Sequence, residues 1–188
     1  MTDGADLSLS WLTSPGAVSE EVRAELTACW RDVANGGGAV GFAQQLPVTD
    51  DVVRPVLDDA IATLGAGLGR LLVVRRDGDL AGWLLLTGNA DPVRAHWGRV
   101  TRVMTALPAR GSGVGRALMT EVARAARDDL GLELLRLEVR GGTGYERFYA
   151  RFGWQVTGCW PGALQIGPGD RRDELLMTLS LTGSPAAS

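Results

Sequence analysis

The run Arg110-Gly111-Ser112-Gly113-Val114-Gly115 puts glycine at every second position and is followed directly by Arg116. An apolar stretch precedes it and a segment of helical periodicity follows. Glycine lets the backbone turn tightly and lets a ligand approach the amides closely. The first amides of a helix have no internal acceptor and point along the positive end of its dipole. Together these features make an anion site suited to a pyrophosphate, with Arg110 and Arg116 as charge-assisted donors beside it. A glycine-rich turn that binds nothing is the plainer alternative.

Two other phosphate sites fit less well. A Walker loop needs Gly-Lys-Ser/Thr, and all 19 basic residues of this chain are arginine. Schiff-base chemistry falls with the same absence. A dinucleotide fingerprint needs Gly-x-Gly-x-x-Gly, whereas the spacing here is Gly-x-Gly-x-Gly. It also expects an acid at the end of the next strand, which Glu138 nearly supplies, so this rival stays open.

The other reactive side chains are few. His96 is the sole histidine, so a histidine-based zinc site is not expected, nor is any metal. His96 has an ordinary pKa near neutrality but stands at a strand start beside Trp97, which favours a half-exposed structural role. Cys29 and Cys159 are far apart and not in a metal spacing, and they read as two buried thiols in a reducing cytosol. A covalent cysteine route is not expected, because Cys29 falls in a helix and Cys159 has no histidine near it in sequence. Trp97, Trp154 and Trp160 sit near strand ends. They could wall a pocket, although core packing is the commoner use of Trp there.

The elements that must position these residues follow from periodicity and punctuation. Leu7 to Leu12 alternates as a first strand. Ser19-Glu20-Glu21 opens a helix whose apolar positions are Val22, Leu26, Cys29, Trp30 and Val33, and Gly36-Gly37-Gly38 stops it. Those glycines could equally let the first helix pair close over a ligand. A second helix starts at Thr49-Asp50-Asp51-Val52. Leu71 to Val74 and Leu80 to Thr87 make a hairpin across Asp77-Gly78, and His96 to Ala106 is a third long strand. Gly113 to Leu130 is an amphipathic helix with Val114, Leu118, Val122 and Ala125 inward. Leu132 to Val139 is a strand, Thr143 to Phe152 a short helix, and Trp154 to Trp160 and Glu174 to Leu181 are closing strands. The order β-α-α-β-β-β-α-β-α-β-β gives an α/β fold on a mixed sheet with a parallel pair at its centre.

Bulk properties fit a single domain over residues 1–188, with ends fraying at about 1–6 and 182–188. The net charge of −3 gives no basic surplus for nucleic acid or an anionic membrane. No apolar stretch approaches the ~18 residues of a membrane span, and no signal peptide opens the chain, so a cytoplasmic protein is expected.

Two motifs in order resemble the GNAT superfamily of N-acetyltransferases. The family's loop, Arg/Gln-x-x-Gly-x-Gly/Ala, is matched by Arg110, Gly113 and Gly115. Its later signature is matched by Phe148-Tyr149-Ala150-Arg151-Phe152-Gly153-Trp154. The resemblance covers about residues 70 to 181, and the N-terminal helices in outline. Within the superfamily, segments 35–42, 134–138 and 158–162 are similar to the tabtoxin-resistance acetyltransferases.

The resemblance implies direct transfer of an acetyl group from acetyl-CoA to an amine, with the loop Arg110, Gly111, Ser112, Gly113, Val114, Gly115 and Arg116 holding the pyrophosphate. It implies that Met104, Thr105 and Ala106 offer backbone groups to the pantetheine arm. Tyr149 is then the expected acid for the leaving thiolate, since a phenol of pKa ~10 is protonated at neutral pH. A buried packing tyrosine is the alternative. Glu138 ends the strand where acceptors approach in this family. It could take the amine's proton or hold a cationic substrate, or it could simply pair with Arg136 or Arg140.

There are three departures. The family's Pro stands three residues before the loop arginine, but Pro108 stands two before Arg110. An Asn that often binds pantetheine is absent, with Gly142 near its place. The position of a candidate catalytic acid in the tabtoxin-resistance proteins is held here by Arg99. The expected acceptor is a small-molecule amine such as an amino-acid-like toxin or antibiotic. A protein N-terminal amine, or a non-catalytic acyl-CoA sensor, remains open, and a homodimer is plausible by family habit.

Overall fold

The computed structural model describes residues 6–182; residues 1–5 and 183–188, which include most of the ends expected to fray, lie outside them. The chain forms two compact units. The first holds the described residues up to Thr87 together with Arg102–Met119, and the second holds Gly88–Thr101 and the described residues from Thr120 onward. The expected element order is present, as strands β1 Leu7–Leu12, β2 Gly69–Arg76, β3 Asp79–Thr87, β4 Trp97–Thr105, β5 Leu134–Arg140, β6 Gln155–Gly167 and β7 Asp170–Ser180, and helices α1 Glu20–Asn35, α2 Asp50–Ala62, α3 Val114–Arg124 and α4 Tyr145–Ala150.

In the first unit β1, β2 and β3 pair antiparallel, with Leu9 opposite Val74 and Val73 opposite Trp83. Helix α1 begins where the Ser19 hydroxyl accepts from the Val22 amide, at 3.3 Å, with Glu20 and Glu21 in the first turn. It stops at Gly36, just before the left-handed Gly37. Its inner face, Leu26, Cys29, Trp30 and Val33, packs with Val53, Leu57 and Ile61 of α2 and with Leu71, Val73 and Trp83 of the hairpin. Trp30 is the hub. Its indole donates to the Val40 carbonyl at 2.8 Å, and its ring meets those of Phe42 and Trp83 at 5.3 and 5.7 Å.

In the second unit the order is β4-β5-β7-β6. The β4–β5 pair is parallel but covers only Trp97–Arg99 against Leu134–Arg136, while β5 pairs antiparallel with β7 over its whole length. Strand β4 continues past this pair to Thr105, and Arg102 within it has a left-handed φ of 59°.

Two stretches differ from the expected elements. The helix after the glycine loop keeps α geometry only to Arg124 and then widens into a π segment, Ala125–Asp129. The closing strands are longer than their apolar alternation shows. Residues 161–173, rich in Gly, Pro and charge, belong largely to the β6–β7 hairpin, and β6 absorbs them through register shifts after Val156, Trp160 and Gln165.

Gly82 of β3 lies where a Cβ would stand 2.7 Å from the Met104 carbonyl oxygen and 2.7 Å from a Val114 methyl. The close approach of β4 and the head of α3 to β3 therefore depends on the missing side chain. Gly82→Ala should lower unfolding free energy by about 1–3 kcal/mol in urea titrations. Gly16→Ala, whose Cβ would meet nothing, should change it by less than about 0.5 kcal/mol.

Candidate active site

The glycine loop belongs to the first unit. Strand β4 ends at Thr105, and Leu107–Ala109 make a single 3-10 turn that contains Pro108. Pro108 stands in the first positions of this turn, where a missing amide costs nothing. Gly111 and Gly113 then take left-handed φ values of 78° and 90°, which side-chain-bearing residues adopt at a cost. Between them, Ser112 is tied back to the Ala109 carbonyl by its hydroxyl at 2.7 Å and its amide at 3.4 Å. The first intrahelical bond runs from Ala117 to Gly113 at 2.9 Å.

Among the described residues, the amides of Gly111, Gly113, Val114, Gly115 and Arg116 donate to no protein oxygen. Arg110 and Arg116 are exposed and form no ion pair among the described residues. Five free donors beside two unpaired guanidinium groups fit a pyrophosphate. Of the strand positions expected to meet an extended ligand, Met104 is buried and Thr105 half-buried. The Ala106 amide already donates to Ala81 at 2.9 Å.

A cavity of about 370 Å³ also lies in the first unit, lined by Cys29, Asp32, Asn35 and Gly36 of α1 and its cap and by Ala106, Leu107 and Pro108. Sequence reasoning missed it. The signal was there in the helical spacing of Cys29, Asp32 and Gly36, but nothing in the sequence says that the Ala106–Pro108 turn faces them. Asn35 exchanges two bonds with the backbone of Val48, at 2.8 and 2.9 Å. One Asp32 oxygen accepts from Arg31 at 2.8 Å.

Tyr149, Glu138 and Gly142 lie in the second unit. Helix α4 starts after the left-handed Gly144 and presents Tyr149 half-buried, with its ring 5.1 Å from Phe148 and 6.1 Å from the buried Trp154. Burial, helped by Tyr145, pushes the Tyr149 phenol well above the ordinary tyrosine range, so it keeps its proton. Its hydroxyl has no hydrogen-bond partner among the described residues. Gly142 is exposed, with φ 77°.

Glu138 is held between two arginines. One oxygen accepts from Arg99 Nε at 2.9 Å and the other from Arg136 at 2.7 and 3.2 Å. Arg136 was foreseen as a partner; Arg99, on another strand, was not. His96 is exposed, and its carbonyl accepts from the Glu133 amide at 2.8 Å. Of the three strand-end tryptophans, Trp154 is core, Trp97 lies under the Arg136 guanidinium at 5.0 Å, and Trp160 is 69% exposed. Among the described residues no group of three or more His, Cys, Asp or Glu is placed to hold a metal, and no helix is long and apolar enough to cross a membrane.

The model of the acetyltransferase (GNAT) family matches residues 41–154, a span that includes both the free-amide loop and the Tyr149 helix. The chain belongs to the GNAT acetyltransferase family. Solved structures share the fold. A proposed acetyltransferase from Salmonella typhimurium, solved with its cofactor acetyl-CoA, aligns at TM-score 0.71 and 18% identity over 98% of this chain and 99% of that one. A proposed phosphinothricin N-acetyltransferase aligns at 0.69 and 21% over 93% and 99%. The ribosomal-protein-S18-alanine N-acetyltransferase from Escherichia coli aligns at 0.69 and 12% over 97% and 99%.

In this GNAT N-acetyltransferase the two thiols differ. Cys159 is exposed, which corrects the expectation of two buried thiols: its strand carries little apolar cover on that side. Cys29 is buried, and burial pushes its thiol up to about 11. It is therefore neutral at working pH and no nucleophile.

Because the folded thiol resists ionisation above its ordinary pKa of 9.0 while the unfolded one does not, stability is intact below about pH 9 and falls through about pH 11. The full difference is roughly 2–3 kcal/mol. Cys29→Ala should flatten that alkaline fall in denaturant titrations. At pH 8 iodoacetamide should label Cys159 alone until urea unfolds the chain.

Proposed function

We propose that this enzyme transfers an acetyl group from acetyl-CoA directly to an amine of a small molecule. The observation that carries this reading is the set of free amides from Gly111 to Arg116, ordered by two left-handed glycines and flanked by two unpaired arginines. The donor supplies an activated thioester. This chain's residues hold and orient it: Arg110 through Arg116 bind the diphosphate, and the backbone of Met104 and Thr105 offers bonds to the extended arm. Ala106, its amide engaged, lines the cavity rather than donating to the arm.

In the reaction a nitrogen–carbon bond forms and the carbon–sulfur bond breaks. Tyr149, protonated and without a protein partner, gives its proton to the departing sulfur. Both Glu138 oxygens already accept from guanidinium groups, so the proton lost by the amine goes to water. A small acceptor is favoured over a protein terminus by the likeness to the proposed phosphinothricin N-acetyltransferase.

Acetyl-CoA at about one hundred times its Kd should stabilise the protein by ~2.7 kcal/mol, and NAD should not. The reverse result would remove the transferase reading. Gly113→Ala should weaken acetyl-CoA at least about tenfold, since a residue with a Cβ strains there by ~1–3 kcal/mol. In a thiol-release assay across a panel of small amines, Tyr149→Phe should lower kcat by about 10²-fold or more with donor Kd unchanged. Unaltered turnover in that variant would take Tyr149 out of the mechanism.

A further inference from the structure

The parallel register of β4 and β5 sets Arg99 directly opposite Arg136, a like-charge pair that a sheet disfavours. One carboxylate answers the two cations. Glu138 takes Arg99 Nε on one oxygen, and Arg136 Nε and Nη2 on the other. Glu138 is only 15% exposed in its side chain, while Arg99 and Arg136 are 50% and 36% exposed. The cluster therefore buries its anion and turns its guanidinium groups to solvent, one positive charge in excess. Neither Nη of Arg99, nor Nη1 of Arg136, has an acceptor among the described residues. The Arg136 plane is further fixed over the Trp97 ring, 5.0 Å from its centroid.

We propose that Arg99 and Arg136, oriented by Glu138, form a carboxylate-binding subsite for the acceptor, so that the acceptor is an amine carrying a carboxylate. This rests on the small-molecule transferase reading and names its substrate class. A guanidinium presents its donors as a planar fork that matches a carboxylate two by two. Two guanidinium groups gathered by one glutamate present their free Nη donors to a second oxyanion, and the excess charge favours one. Glu138 is a positioning residue here. It recognises a negative group through its partners instead of a positive one directly.

Binding is tested without knowledge of the true acceptor, by calorimetric titration of glutarate, of uncharged glutaramide and of inorganic phosphate. The proteins are the wild-type enzyme, Arg99→Gln, Arg136→Gln, Arg136→Lys and a distant control, Arg127→Gln, on the outer face of the π segment. Glutarate should bind the wild type and the control alike, with an affinity that falls as salt rises, and glutaramide should not bind. Each Gln variant should lose at least about tenfold in glutarate affinity, with Arg136→Lys between. Phosphate binding that exceeds glutarate binding and is weakened by both Arg99→Gln and Arg136→Gln would overturn the carboxylate assignment in favour of a phosphoryl group. Absence of any anion binding to the wild type, or affinities unchanged in both Gln variants, would overturn the subsite.

Acetyl-CoA titrated into the same proteins should bind all of them equally. Failure of acetyl-CoA on the wild type would sink the transferase reading while leaving the anion result standing. In turnover, amino acids should exceed their carboxamides in kcat/KM, and Arg99→Gln should erase the preference through KM with little change in kcat.

Discussion

One arginine in an unfavourable conformation marks the turning point of strand β4. Arg102 occupies the left-handed region within an otherwise extended strand, at a cost of order 1–3 kcal/mol for a residue with a side chain. The first unit holds it there. Its guanidinium lies over the Trp30 ring, 4.3 Å from the centroid, and Trp30 is itself fully buried, hydrogen-bonded and packed against two further aromatic rings. The strand that carries this residue pairs with β5 for only three positions before Arg102. A strand that gives up a neighbour leaves backbone donors and acceptors that need partners. The pantetheine reading of Met104 and Thr105 depends on that departure, and the Trp30 contact falls at Arg102, just past the last paired position.

Three sets of contacts in the enzyme use different chemistry. The glycine loop relies on backbone amides, whose geometry is set by φ angles and a helix start, and its arginines have no partners to give up. The Tyr149 helix relies on burial: aromatic neighbours at 5.1 and 6.1 Å keep a phenol neutral. The Glu138 cluster relies on ion pairing, with one carboxylate shared by two guanidinium groups. Free amides, a neutral phenol and an ion-paired cluster are thus each produced by a different physical device.

Much of this was legible in the sequence for definite reasons. Ser19, Thr49 and the glycines at 36 to 38 punctuate helices by rules that act within a few residues, and the Arg110–Gly115 loop announces a helix start in the same local way. The long β6–β7 hairpin was not legible past Trp160, because its Pro161, Gly162 and acidic or basic residues mimic a loop and its register depends on bulges. The π segment after Arg124 left no trace, since its side-chain pattern is still that of an α-helix. The Arg99–Glu138 bond joins residues 39 apart through a strand register, which no local pattern encodes. The cavity beside Cys29 escaped for the same reason.

The ion pairs that staple the described surface, such as Arg23–Asp58, Arg54–Glu20 and Arg124–Glu121, are all made by guanidinium groups. An enzyme that concentrates an acyl thioester lives beside a reagent that attacks neutral amines. Guanidinium stays protonated and weakly nucleophilic, whereas the ammonium of lysine deprotonates often enough to be acylated. Every cation in this chain except the α-amino terminus and His96 is therefore inert to its own donor. The surface network keeps its charge, and its geometry, through any number of encounters with the cofactor.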